Sequence, residues 1–333
     1  MLKTIKFWFW NARPHSLPQS VMPAALAVFL AGKAQGSDFS LCLGVLAVLG
    51  VAFAHLSLNL FDDYFDYKVK KTDYRNHLAH SGIRSRMHKC AYIISGQATL
   101  RNLLTACIVS GGIAVLAGVI ILYFRGSTVF WIAAIAAFLG IEYSGAPLRL
   151  SYKGLGEVVI GLLFGVLSMA GVYYSACGRL DGAVLFVSVP VGLLVANIIY
   201  VHSIMDFEPD KAAGKMTFAG LLGNKKAMLV ALALLLVISY LSIIAGIIFG
   251  YLSVYYLFTL LSLPLAVELF RLMYCFVTKP EQKFEPKKWY GPVGNWERLQ
   301  AAGIDWFMIR WLLARNLLTL FCLIIIGVIF ING

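Results

Sequence analysis

The sequence predicts an all-α, polytopic membrane protein of about nine transmembrane helices around a central cavity, capped by its cytoplasmic loops. Three observations predict it. Of 333 residues, 60% are hydrophobic and only 13% charged, and the mean hydropathy is +0.80, outside the range of soluble domains. Nine apolar runs lie close to the ~20 residues needed to cross a bilayer. The basic residues are shared very unequally between the two sides that those runs define.

The chain opens with an expected interfacial segment. Residues 1–16 set Phe7-Trp8-Phe9-Trp10 beside Lys3, Lys6 and Arg13, and aromatic and basic residues favour the membrane–water boundary. No cleavage site follows them, so the segment does not read as a removable signal peptide. Spans are expected at 17–34, 39–60, 102–124, 127–144, 155–176, 182–204, 226–249, 252–274 and 312–331. Gly161, Gly165, Ser168 and Gly171 would let helices approach closely. Long loops follow at 67–100, 205–225 and 275–310, and the whole of 1–333 reads as a single integral-membrane domain.

Orientation follows from charge. With the N-terminus cytoplasmic, 25 of the 28 Lys and Arg residues fall on the cytoplasmic side, leaving Lys33, Arg125 and Arg179 outside. The net charge of +12 is then accounted for by topology and by attraction to anionic membrane lipids. It does not point to nucleic acid, because the basic residues are dispersed among membrane-bounded loops. The six cysteines show neither a disulfide framework nor metal-ligand spacing.

Two acidic clusters carry the chemistry. Asn59-Leu-Phe-Asp62-Asp63-Tyr-Phe-Asp66 closes one apolar run and His202-Ser-Ile-Met-Asp206-Phe-Glu208-Pro-Asp210 closes another, so six of the 16 acidic residues lie in these two places. On a helix, positions 59, 62, 63 and 66 share one face. Three carboxylates on one face repel each other unless a cation or proton separates them. With oxygen ligands alone that cation is expected to be Mg²⁺, which typically works with substrate phosphates. Pro209 is expected to end the sixth span nearby and to present Asp210 from a turn. Candidate diphosphate-binding cations are Lys153, Lys211, Lys215, Arg84 and Arg86. Lys153 and Lys215 stand out because each lies in a glycine-containing turn, where backbone can come close to phosphate.

Taken together, these stretches resemble the UbiA-type intramembrane prenyltransferases, especially the 1,4-dihydroxy-2-naphthoate polyprenyltransferase branch of menaquinone synthesis. The matching pieces are Ala12-Arg-Pro-His-Ser-Leu-Pro18, Asn59 to Asp66 with Asp73 downstream, Tyr143-Ser-Gly-Ala-Pro147, Leu150-Ser-Tyr-Lys-Gly-Leu-Gly-Glu157 and Asp206 to Thr217, in family order over roughly residues 10–225. The resemblance implies a polyprenyl diphosphate donor, Mg²⁺ at the two aspartate motifs, and an aromatic small-molecule acceptor attacked at a ring carbon. By that likeness Asn59, Asp63 and Asp66, with Asp62 beside them, serve one metal cluster, and Asp206 and Asp210 the other. Lys153 and Lys215 would touch diphosphate, and Tyr143 would assist the acceptor or an allylic cation. The expected location is the cytoplasmic membrane of a bacterium.

The departures from that branch fall mostly near the acceptor. Asp62 stands where the branch usually has Asn, and His202-Ser203 and Met205 stand where its second motif carries Asn-Asn and an Arg. A UbiA-type enzyme with another aromatic or lipid acceptor is therefore the alternative. A cation-coupled secondary transporter is a further rival, but its broken helices should carry Gly and Pro at mid-span, whereas these acidic groups lie at span ends. No general base is assigned: His202 is one candidate, and support of Asp206 is its other reading.

Overall fold

A computed structural model of the chain describes residues 2–34, 38–68 and 90–331. Among these it is helical throughout and contains no strand; an isolated bridge between Lys153 and Met216 is the one β-type pairing described. The helices are α1 (Leu2–Asn11), α2 (Pro18–Lys33), α3 (Leu41–Lys68), α4 (Ala91–Ile94), α5 (Leu100–Arg125), α6 (Ser127–Ser144), α7 (Gly156–Cys177), α8 (Gly182–Met205), α9 (Phe207–Ala212), α10 (Phe218–Leu222), α11 (Lys225–Ile248), α12 (Val254–Thr278), α13 (Trp296–Ala301) and α14 (Asp305–Ile331). Eight of them are long and apolar enough to cross a membrane. The expected first span, α2, is a helix of 16 residues, so all nine expected spans are found as helices.

Two boundaries differ from expectation for a physical reason. α3 does not stop at residue 60 but runs unbroken to Lys68, because no glycine or proline interrupts Asn59–Lys68 and the polar residues there continue the helical spacing. α14 starts at Asp305, seven residues before the apolar run. An acidic residue in its first turn suits the positive end of the helix dipole.

Contacts divide the chain into two compact units. One comprises Met1–Tyr152 and Leu167–Leu180, the other Lys153–Val166 and Asp181–Gly333. In the first, α3 is the central helix and packs against α2, α5, α6 and the second half of α7. Gly44 brings it within 3.2 Å of Val28 and Ala176, measured from the Cβ a larger residue would carry. Arg125, at the end of α5, is held by the carbonyls of Asp38, Ser175 and Ala176.

In the second unit α8 is central, packed against α11, α14 and the first half of α7. Glycines set the closest approach. A Cβ at Gly165 would lie 2.2 Å from Gly192 Cα, and one at Gly161 would lie 2.8 Å from the Gly192 carbonyl oxygen. The α7 backbone passes through a π-helical stretch, Leu162–Leu167, at this contact. Gly165→Ala should therefore force apart two backbones that have no side chain to yield. The expected loss is about 1–3 kcal/mol or more, read as a lower melting temperature in detergent, and an unchanged melt would contradict the packing.

All six cysteines are free thiols. The outward faces of α5, α6 and α11 expose apolar residues such as Ile108, Leu116, Trp131, Val230 and Leu234, as helices facing lipid do.

Candidate active site

The first acidic cluster occupies the last three turns of α3. Asp63 and Asp66 are buried, 3% and 5% exposed, while Asn59 and Asp62 are half-buried. As the spacing requires, all four lie on one face of a continuous helix. Their partners come from three distant stretches of the first unit. Arg13 places one guanidinium nitrogen 3.3 Å from Asp62 Oδ2, 3.2 Å from Asp63 Oδ1 and 2.6 Å from the Asn59 carbonyl oxygen. Ser144 Oγ donates to Asp62 Oδ1 at 2.7 Å, Tyr92 Oη to Asp63 Oδ2 at 3.0 Å, and Tyr152 Oη to Asp66 Oδ1. Charge-assisted bonds of this kind are the strong ones.

The electrostatics follow. Burial opposes the Arg13 charge, but Asp63 and Asp62 outweigh it and hold the guanidinium firmly protonated. Burial and the Asp63 charge both push the Tyr92 hydroxyl well above the ordinary phenol range, so it stays a proton donor.

The N-terminal segment is locked to this site. Asn59 Nδ2 donates to the Ala12 carbonyl at 2.9 Å and to Ser16 Oγ at 3.0 Å. Ser16 and Ser20 grip the two ring nitrogens of buried His55 at 3.1 and 2.6 Å. Phe7 and Trp8 meet the Tyr92 ring edge-on at 6.0 and 5.9 Å, whereas Leu2, Ile5 and Trp10 of α1 stay exposed. With its NH₂ group engaged, Asn59 offers Oδ1, which accepts no hydrogen bond among the described residues. Three carboxylates and an amide oxygen on one face supply oxygen donors of the type Mg²⁺ takes; among the described residues no three acidic side chains converge as a ready metal-holding group, and a cation, Arg13, stands against two of them.

The second cluster lies in the second unit. α8 ends at Met205 and a separate short helix, α9, begins after Asp206. This corrects the expected role of Pro209. The break comes at Asp206, and Pro209 sits in the first turn of α9, where its missing N–H is harmless. Asp210 is thus carried on a helix, with its N–H bonded to the Asp206 carbonyl at 2.8 Å. Asp206 is 0% and Asp210 3% exposed. His202 Nε2 lies 2.9 Å from Asp206 Oδ2, the supporting position.

The two lysines of the glycine turns are brought to this cluster through backbone. Lys215 N–H bonds the Asp210 carbonyl at 2.8 Å and Gly154 N–H bonds the Met216 carbonyl at 2.7 Å, beside the Lys153–Met216 bridge. Gly154 has φ +78°, and a Cβ there would lie 2.1 Å from Leu221, so only glycine allows this junction. Buried Glu157 clamps it: its carboxylate accepts from Ser203 Oγ at 2.5 Å and from the Phe218 N–H at 3.3 Å. Lys211 is carried on α9, with its ammonium 5.8 Å from the Phe207 ring.

Tyr143 sits half-buried near the end of α6, one residue before Ser144. Arg84, Arg86 and Asp73 lie outside the described residues. Sequence reasoning gave Arg13 only a place in the interfacial segment and assigned no role to Tyr92, Ser144, Tyr152 or Glu157. Four of these stood inside the quoted motifs, where their position was a usable signal; Tyr92 had none.

The model of the UbiA prenyltransferase family matches residues 20–289. A 1,4-dihydroxy-2-naphthoate octaprenyltransferase of Bacillus subtilis is 28% identical over 259 residues, covering 77% of this chain and 78% of that protein. A 2-carboxy-1,4-naphthoquinone phytyltransferase of Synechocystis is 30% identical over 285 residues, covering 84% and 86%. Among solved structures, a UbiA homolog from Archaeoglobus fulgidus bound to GPP and Mg²⁺ shares the fold with a TM-score of 0.59 at 17% identity, over 93% of this chain and 99% of that one. A match over most of the chain, joined to membrane-spanning helices that end in aspartate motifs, makes this protein a prenyltransferase of the UbiA family.

Proposed function

We propose that the protein transfers a polyprenyl group from polyprenyl diphosphate to a ring carbon of 1,4-dihydroxy-2-naphthoate, a step of menaquinone biosynthesis, in a Mg²⁺-dependent reaction. The observation that carries the reading is the pair of buried aspartate clusters, each provided with hydrogen-bonding or basic groups. It is supported by relatives named for naphthoate prenylation and by a fold neighbour described with a prenyl diphosphate and Mg²⁺.

In this reading Asn59, Asp62, Asp63 and Asp66 hold metal at one cluster and Asp206 and Asp210 at the other. Bound Mg²⁺ supplies charge neutralisation for the departing diphosphate. Lys153 and Lys215, with Lys211 on α9 and Arg84, would bind the remaining phosphate oxygens. Breaking the C–O bond sends its electron pair to the departing diphosphate and leaves an allylic cation on the isoprenoid; the electron-rich ring carbon of the acceptor forms the new C–C bond, and its ring proton passes to the released diphosphate or to water. Tyr143 is assigned to steadying the acceptor or the cation. His202, tied to Asp206, orients that carboxylate.

The acceptor assignment is tested by supplying 1,4-dihydroxy-2-naphthoate and its decarboxylated analogue side by side. Met205 is buried and uncharged, so no Arg at that position clamps an acceptor carboxylate. Prenylation of the naphthoate is expected. Prenylation of a benzoate or a tetrapyrrole with neither naphthalene used would overturn the acceptor while leaving the prenyltransferase.

The protein is an integral membrane protein. We place it in the cytoplasmic membrane of a bacterium as a single domain, with the N-terminus cytoplasmic and residues 1–16 at the interface among membrane lipids. Cysteines introduced at Lys68 and Ala212, both exposed, into a background without native cysteines should react with an impermeant maleimide only from the cytoplasmic side. Reaction from outside the cell contradicts that orientation.

A further inference from the structure

Arg13 is built into the first acidic cluster in an unusual way. A guanidinium normally meets a carboxylate with two parallel N–H bonds. Here a single terminal nitrogen reaches Asp62, Asp63 and the Asn59 carbonyl at once, and the buried Nε has no hydrogen-bond partner. The side chain acts as a point of positive charge shared by two carboxylates, not as a fork fitted to one.

Its backbone is held for that purpose. Arg13 has φ 60° and ψ 57°, the left-handed region that is costly for any residue with a Cβ. The surroundings enforce it from both sides: the Ser16 N–H and hydroxyl bond the Arg13 carbonyl at 2.9 and 2.8 Å, and Asn59 holds the Ala12 carbonyl. Yet the side chain is 35% exposed, so solvent reaches it in place.

We propose that Arg13 is a tethered counter-cation that occupies the Asp62–Asp63 pair when no metal is bound and must yield for Mg²⁺ to load there. This rests on the reading of the first cluster as a metal site. Mg²⁺ requires carboxylate oxygens in its inner shell at about 2.1 Å, and the arginine charge now stands against the same oxygens. The two cations therefore compete, and metal affinity falls by the fraction of time the cluster is uncovered. An arginine in place about nine-tenths of the time lowers apparent affinity about tenfold. The carboxylates are kept from repelling each other in the empty enzyme, and metal is admitted above a threshold set by Arg13.

The test uses Mn²⁺ binding without donor, followed by electron paramagnetic resonance, in the purified full chain carrying D206N and D210N to remove the second cluster's carboxylates. Adding R13Q should tighten Mn²⁺ binding about tenfold, lower the metal-free melting temperature, and enlarge the rise in melting temperature that Mn²⁺ produces. Unchanged or weaker Mn²⁺ binding in R13Q overturns the inference. In the native chain, where no variant needs to fold, Mn²⁺ should increase hydrogen–deuterium exchange over residues 8–17 as Arg13 leaves. Unaltered or reduced exchange overturns it. Should neither protein bind Mn²⁺ at millimolar concentration, the metal reading of the cluster itself falls, which is a different failure.

Discussion

Asp63→Ala and Asp206→Ala should each reduce prenyl transfer by about 10²–10³-fold or more, while the protein still folds in detergent. Each removes one buried carboxylate and leaves apolar packing untouched. Asp63 is held between Arg13 and Tyr92, so its loss strips charge from the cluster at its most enclosed point. Asp206 caps the end of α8 and starts α9, and its loss also releases His202. The isosteric variants Asp63→Asn and Asp206→Asn separate charge from shape: they should be as inactive as the alanine variants but melt closer to the native protein. Near-native turnover of either alanine variant at saturating Mg²⁺ would contradict the assignment of that cluster.

Lys153→Ala and Lys215→Ala should chiefly raise KM for the prenyl donor. The backbone junction that places them, Gly154 to Met216 and Lys215 to Asp210, needs no side chain from either lysine. Truncation therefore removes a cation and leaves the turn. Each lost charged hydrogen bond is worth about 1.5–3 kcal/mol, or roughly 10- to 150-fold. Should diphosphate be bound more tightly in the transition state than in the ground state, kcat falls as well. Unchanged KM and kcat in both variants would return these lysines to the role of setting topology.

Much of the fold was legible because lipid imposes long apolar runs. All nine runs are helices, and the i, i+3, i+4, i+7 spacing of Asn59 to Asp66 carried over directly because α3 continues through it. What escaped has specific causes. Proline is a helix breaker only where its N–H is needed, so Pro209 misled: the chain turns at Asp206 and uses the proline to start α9. Residues 275–310 read only as a long loop, yet Lys287 and Tyr290 anchor it to buried Glu268 of α12, which also pairs with Arg271. Spacing along one helix cannot reveal a partner such as Tyr92, 29 residues from Asp63 with no periodic relation to it. Arg13 stands in the opening motif, but its contacts with Asp62 and Asp63 span 49 and 50 residues, a separation that no local spacing reveals.

This protein is expected to break a polyprenyl diphosphate and to deliver the prenyl group to an aromatic ring through metal held at its aspartate clusters. The most direct measurement incubates purified protein with Mg²⁺, labelled polyprenyl diphosphate and 1,4-dihydroxy-2-naphthoate, counting released pyrophosphate and identifying the product by mass. One pyrophosphate is expected for each carbon-prenylated naphthalene, with both lost in EDTA and restored by added Mg²⁺. Product formation unaffected by EDTA, or no prenylated product from any aromatic acceptor, would contradict this expectation.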